Sequence, residues 1–275
     1  CRSDEDYCPE PDSDWHDSPT MDGYRWKGDT SSDEIDGHLA AYPMILDHIA
    51  QTDEQKARVF ALMAGITDGI LENDLYLIDP VTNEQTTWGI WNPKEINREA
   101  KHSGERGGNS VEILAYLTSM YSMTGDEKYR EKYWELVEVH DYGRNCDNSK
   151  LDNPDDDNHS DNELIFMAYH TAFYSHQRLD NARGDPSLTL RRKNVKAMNQ
   201  RLVPGLERYW SLVRKEFSPL WLGIYAGVAG VSTGVTQQDV QYATASLQYW
   251  AIDLIEWPFD NSNRWDVIVS PFHVR

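Results

Sequence analysis

Apolar side chains recur at steps of three and four residues along most of this chain, and that period leaves little room for anything but helices. Ile35, Leu39, Tyr42, Leu46 and Ile49 keep the spacing, as do Val59, Leu62, Met63, Ile66 and Ile70, so each set lines one face of an amphipathic helix. It returns at Val111, Leu114, Ala115, Thr118 and Tyr121, at Tyr129, Tyr133, Leu136, Val137 and His140, and at Leu164, Met167, Ala168, Thr171 and Tyr174. A last set runs through Val240, Ala243, Leu247, Trp250 and Leu254. Residues 193–214 form another helical stretch, which Pro204 should interrupt because proline brings no backbone donor; Pro43 should kink the first helix for the same reason. Ser31 with Glu34, Thr52 with Gln55 and Ser160 with Glu163 match the capping box that opens a helix. Strand signals are confined to Leu75–Ile78 and Thr86–Trp88, which predict a short hairpin on a loop. Long helices with short connections make antiparallel neighbours, so the expected class is all-α, built of helical hairpins. Residues 1–27 lack the period and read as an irregular acidic leader; residues 28–275 read as a single helical domain.

Charge narrows the partners. With 26 basic and 46 acidic residues the formal net charge is −20, the opposite of the basic footprint that nucleic acid and anionic membranes demand. No apolar stretch approaches the roughly 18 residues of a membrane helix, which points to a soluble chain without a membrane partner. The first residue is Cys1 and not Met, which predicts a processed or truncated product. Three cysteines leave two readings open: a small loop disulfide between Cys1 and Cys8 with Cys146 unpaired, or three free thiols. The sequon Asn158-His159-Ser160 adds a hint of secretion, and the expected location is extracellular.

Three polar segments are denser than helix capping requires. In the first, Asp29, Asp33, Glu34 and Asp36 gather at a helix start with His38 one turn beyond Glu34; the plain alternative is a solvated acidic end favoured by the helix dipole. The second joins Trp88 and Trp91 to Arg106 and Asn109 across a loop punctuated by Gly and Pro. Exposed indoles would give sugar rings flat faces to stack on, unless both tryptophans plug the core. The third, Asp152 to Glu163, carries six carboxylates in twelve residues. Such crowding suits a hard cation, so Ca²⁺ at Asp155, Asp156 and Asp157 is one expectation, although the spacing is not that of an EF-hand. Runs that would mark a zinc site, a phosphate loop or a nucleophile elbow do not occur.

The hairpins, the segment Thr124-Gly125-Asp126-Glu127-Lys128-Tyr129 opening a second helix, and the Thr87-Trp88-Gly89-Ile90-Trp91 motif resemble the six-hairpin glycosidase superfamily of (α/α) toroids, over about residues 24–257. Within it, segments like Lys27-Gly28-Asp29-Thr30-Ser31-Ser32-Asp33-Glu34 and Asp156-Asp157-Asn158-His159-Ser160-Asp161-Asn162-Glu163-Leu164 mark a group with no assigned reaction. The resemblance implies a complete or partial toroid with a carbohydrate-binding cleft at one end; fewer helices than a full toroid's twelve favour the partial form. It also implies paired carboxylates in a hydrolase, or His, Tyr, Asn and Arg in a polysaccharide lyase. Asp33 and Asp161, at helix starts where loops converge, are the expected hydrolytic pair, with Asp29, Glu34 and Asp36 raising the pKa of the acid partner. Trp88 and Trp91 would hold sugar rings and Arg106 a uronate carboxylate. A lyase would use His159 or His38 as base and Asn109 or a tyrosine as neutraliser. Neither chemistry requires a cofactor. A third expectation is a non-catalytic glycan-binding or structural protein, since fold does not dictate function and stacked hairpins offer long faces for partner contact or self-assembly.

Overall fold

The computed structural model describes residues 1–4, 8–12, 14–149, 159–182 and 184–248. Two short strands, β1 (Trp15–Asp17) and β2 (Arg25–Lys27), come first, followed by α1 (Ser32–His48) and α2 (Asp53–Glu72). A second pair, β3 (Tyr76–Ile78) and β4 (Gln85–Ile90), leads to the short α3 (Pro93–Ile96), then α4 (Arg106–Thr124), α5 (Glu127–Val139) and α6 (Tyr142–Asp147). The chain continues through α7 (His159–Asn181), α8 (Thr189–Val213), the single turn α9 (Pro219–Leu222) and α10 (Gln237–Gln248). Helix dominates, as the period of the apolar residues requires, and the expected hairpin is present as β3 and β4, antiparallel with Tyr76 opposite Ile90.

The leader is more ordered than its composition suggests. β1 and β2 pair antiparallel with His16 opposite Trp26, and Cys1 and Cys8 are bonded to each other while Cys146 is a buried free thiol. The Cys1 ammonium donates to the Arg25 carbonyl at 2.9 Å, and the Arg25 guanidinium holds the Pro9 carbonyl and the Glu10 carboxylate. A charged partner set thus does for this segment what an apolar face does elsewhere.

Capping decides where α1 and α2 begin. The Glu34 carboxylate accepts from the Ser31 amide at 2.9 Å, and the Thr52 hydroxyl accepts from the Gln55 amide at 3.2 Å, so otherwise orphaned donors are satisfied. α7 begins at His159, one residue before Ser160, whose side chain lies outside the described residues. α8 runs unbroken through Pro204 and α1 through Pro43. In α8 the lost hydrogen bond is outweighed by Leu202, Leu206, Tyr209 and Trp210, which are buried on both sides of the proline.

α4 is the central helix. From Asn109 to Ser122 every side chain is buried, and α7, α5, α6 and α8 pack around it. Its C-terminal carbonyls, Met123 and Thr124, are held by the Arg191 guanidinium at 3.1 Å each. α7 and α8 form an antiparallel hairpin: Arg192, early in α8, donates to the Leu179 carbonyl near the end of α7, and Asn199 to the Ala172 carbonyl. α1 lies beside α7 with their C-terminal parts joined, where Arg178 donates to both Asp47 oxygens at 2.9 and 2.6 Å. Stacked aromatic pairs, Phe166 on Trp221 and Trp210 on Tyr225, fill the core beyond α7 and α8.

Candidate active site

Two carboxylates lie inside the molecule where α1 meets α4. Asp36 sits in the second turn of α1 between the buried Ile35 and Leu39, and is 1% exposed; Glu112, on α4, is 3% exposed. The Tyr116 hydroxyl donates to Asp36 Oδ1 at 2.6 Å and the Trp91 indole donates to Glu112 Oε2 at 2.8 Å. The rings of Trp91 and Tyr116 meet edge to face, 6.0 Å between centroids. Asp36 Oδ2 is buried with no hydrogen-bond partner among the described residues.

Electrostatics follow from this burial. Removal from water raises the Asp36 carboxyl to about 8, the Tyr116 hydrogen bond opposes the rise and the charge of Asp33 adds to it. Glu112 is pushed well above the usual carboxylate range, first by burial and then by Asp36, with Asp33 and Glu105 contributing less and the Trp91 hydrogen bond opposing. Two carboxylates that feel each other in a dry site do not both ionise, so at neutral pH the pair retains a proton.

Trp91 owes its place to the strand before it. Its amide donates to the Leu75 carbonyl at 2.8 Å, its carbonyl accepts from the Tyr142 hydroxyl, and Asn92 caps α3 through the Lys94 amide while its own amide reaches the Asp74 carbonyl. Asn109 donates to the Ile90 carbonyl at 2.8 Å, tying β4 to the start of α4. On the outer edge Asp29 accepts from both the amide and the hydroxyl of Thr87, which fastens the chain before α1 to the same hairpin.

The residues singled out from the sequence divide into several settings. Asp33 is exposed on the first turn of α1 and acts on the buried pair through its charge. Asp161 is exposed on the first turn of α7, beside a buried Asn162 that accepts from the Tyr209 hydroxyl at 2.6 Å. His38 is exposed and stacks on Tyr42. His159 opens α7, but its side chain lies outside the described residues, as do Asp155, Asp156, Asp157 and Asn158. Trp88 is 53% exposed on β4, whereas Trp91 is fully buried and serves as the donor to Glu112 and not as an open wall. Arg106 donates through Nε to the Ile96 carbonyl at 2.9 Å. The Asn109 side chain is buried and its amide engaged with Ile90. Among the described residues no group of three His, Cys, Asp or Glu is arranged to hold a metal ion.

Glu112 was missed by sequence reasoning because it falls in an apolar run. Its signal was present all the same: a carboxylate between Val111 and Ile113, with Gly108 and Tyr116 one turn away on either side and no basic residue at that spacing. An acid in that setting has no solvent to face. Compared with known protein families, curated proteins and solved structures, the chain shows no significant match.

Proposed function

We propose that this chain is a carbohydrate-active enzyme, a glycoside hydrolase acting on a polysaccharide or oligosaccharide with paired carboxylates. The observation that carries the reading is the pair Asp36 and Glu112, buried together and holding a proton at neutral pH, with the exposed carboxylate of Asp33 one turn from Asp36. Asp36 is the general acid: Oδ1 is fixed by Tyr116, and Oδ2, which has no hydrogen-bond partner among the described residues, carries the proton that goes to the glycosidic oxygen. Asp33 is the base that takes a proton from the attacking water as the anomeric C–O bond breaks and a new one forms. Trp88 supplies an exposed face for a sugar ring. The toroid reading of the fold is supported by three helical hairpins, α1 with α2, α4 with α5 and α7 with α8, whose first members pack on one another. The Cys1–Cys8 disulfide supports an extracellular location, and among the described residues no helix is long and apolar enough to cross a membrane.

The test is a panel of neutral and acidic polysaccharides read by reducing-end release, with ultraviolet detection of unsaturated ends as the sign of a lyase. Release by the native chain that falls about 100-fold or more in both Asp36→Asn and Asp33→Asn supports the assignment; release that survives Asp36→Asn removes Asp36 from the acid role. One observation favours a second reading, a non-catalytic extracellular glycan-binding or structural protein: Asp36 and Glu112 are almost closed off from solvent. Saccharide binding without turnover on the whole panel is its expected outcome.

A further inference from the structure

A hollow of about 470 Å³ opens at the start of α4, lined by Arg106, Gly107, Arg144 and the amides of Asn97, Asn145 and Asn148, a size within the roughly 300–1,000 Å³ that ligand pockets occupy. Its floor is fixed in advance. Asn145 donates to Asn97 Oδ1 at 2.8 Å and to the Ser110 hydroxyl at 3.0 Å, while Asn97 donates to the His140 carbonyl at 2.7 Å. The two arginines have capacity to spare. Within the described residues Arg106 spends only Nε, on the Ile96 carbonyl, and the exposed Arg144 side chain has no hydrogen bond or ion pair. Three half-buried guanidinium groups are committed to carboxylates: Arg178 to Asp47, Arg201 to Asp147 and Arg214 to Asp239. Asp141 is the one carboxylate among the described lining residues. The residue that allows the hollow to form is Gly107, where a Cβ would come within 2.4 Å of the Ser149 backbone. Without a side chain there, the chain leaving α6 crosses the first turn of α4 and brings Arg144 and Asn148 alongside Arg106.

We infer that this hollow receives the anionic group of an acidic saccharide, a uronate carboxylate or a sugar sulfate ester, held between Arg106 and Arg144. Guanidinium forks match oxyanions with parallel hydrogen bonds, and neutral amides complete the shell without adding charge. In a chain of net charge −20 the long-range field repels polyanions, so such a ligand needs a local cationic pair to overcome it. The saccharide part of the inference rests on the hydrolase reading and names its substrate class; the requirement for an anion rests on the two arginines alone.

The test is calorimetric titration of the whole chain with D-glucuronate, glucose 6-sulfate and glucose. At least one anionic sugar is expected to bind about tenfold or more tightly than glucose, and the preferred one identifies the group as carboxylate or sulfate ester. Arg144→Gln, at an exposed position where folding is checked by its thermal transition, should weaken the anionic sugar about tenfold and leave glucose unchanged. Equal affinity for glucose, no binding of either anionic sugar, or an unchanged Arg144→Gln affinity would overturn the inference. Anionic binding that responds to Arg144→Gln without hydrolysis of any acidic polysaccharide keeps the hollow and removes the hydrolase reading. Hydrolysis of neutral glycans with no anionic binding does the reverse.

Discussion

At Asp36 the chain holds a carboxyl that burial raises from 3.8 to about 8. The folded state keeps a proton there that the unfolded state gives up, so this group's contribution to stability is complete below about pH 4 and is lost as pH rises towards 8. Asp36→Asn keeps an acceptor for Tyr116 and abolishes the titration. The Tm of the native chain is therefore expected to fall more steeply than that of Asp36→Asn between about pH 5 and about pH 8; parallel curves would mean that the carboxyl is solvated. Glu34 and Asp239 work in the opposite sense. Against the desolvation of each, hydrogen bonds from Ser31 hold the exposed Glu34, and hydrogen bonds from Thr236 with the Arg214 charge hold the buried Asp239, below the usual carboxylate range, so what they contribute is lost on acidification through their lowered values. At this scale the sequence was only half legible. Asp36 stands out as a member of an acidic cluster whose other members, Asp29, Asp33 and Glu34, have the same chemistry, so residue type alone does not say which one turns inward. Helical phase decides that: Asp36 shares a face with Leu39 and Pro43, whereas Asp33 and Glu34 lie outside the buried stripe.

Among the elements, α4 shows how one helix is held at both ends. Gly125 ends it in the left-handed region at φ +70°, where a Cβ would come within 2.2 Å of Arg191 Nη2. That guanidinium is the group satisfying the last α4 carbonyls. Gly125→Ala thus imposes backbone strain and dislodges the cap together, and is expected to lower stability by about 1–2 kcal/mol. Urea unfolding with an unchanged slope and a lower midpoint is the check. Helix positions were legible because a repeat of three and four apolar residues has one economical solution. The ends were less so. α7 begins at His159, one residue before the expected cap at Ser160, and Pro204 has the chemistry of a break and lies inside α8, because packing along the whole face outweighs one backbone hydrogen bond.

For the whole molecule, 46 acidic side chains against 26 basic ones store self-repulsion that ion pairs relieve only locally, as at Asp47 with Arg178 and Asp147 with Arg201. Raising the salt from about 0.02 M to about 0.2 M shortens the screening length to below about 10 Å, so Tm is expected to rise with salt at neutral pH. A fall would show that the ion pairs outweigh the net repulsion. By itself the sequence determined the helical class, the β3–β4 hairpin and the capped starts of α1 and α2, since each follows from local spacing. Only the tertiary structure decided that Asp36 and Glu112 share one dry site, that Trp91 is a hydrogen-bond donor to Glu112 and that Arg106 and Arg144 face one hollow. Those residues are separated by tens of positions along the chain, and their charge state depends on burial and mutual distance, quantities that exist only once α1, α4 and α6 have packed.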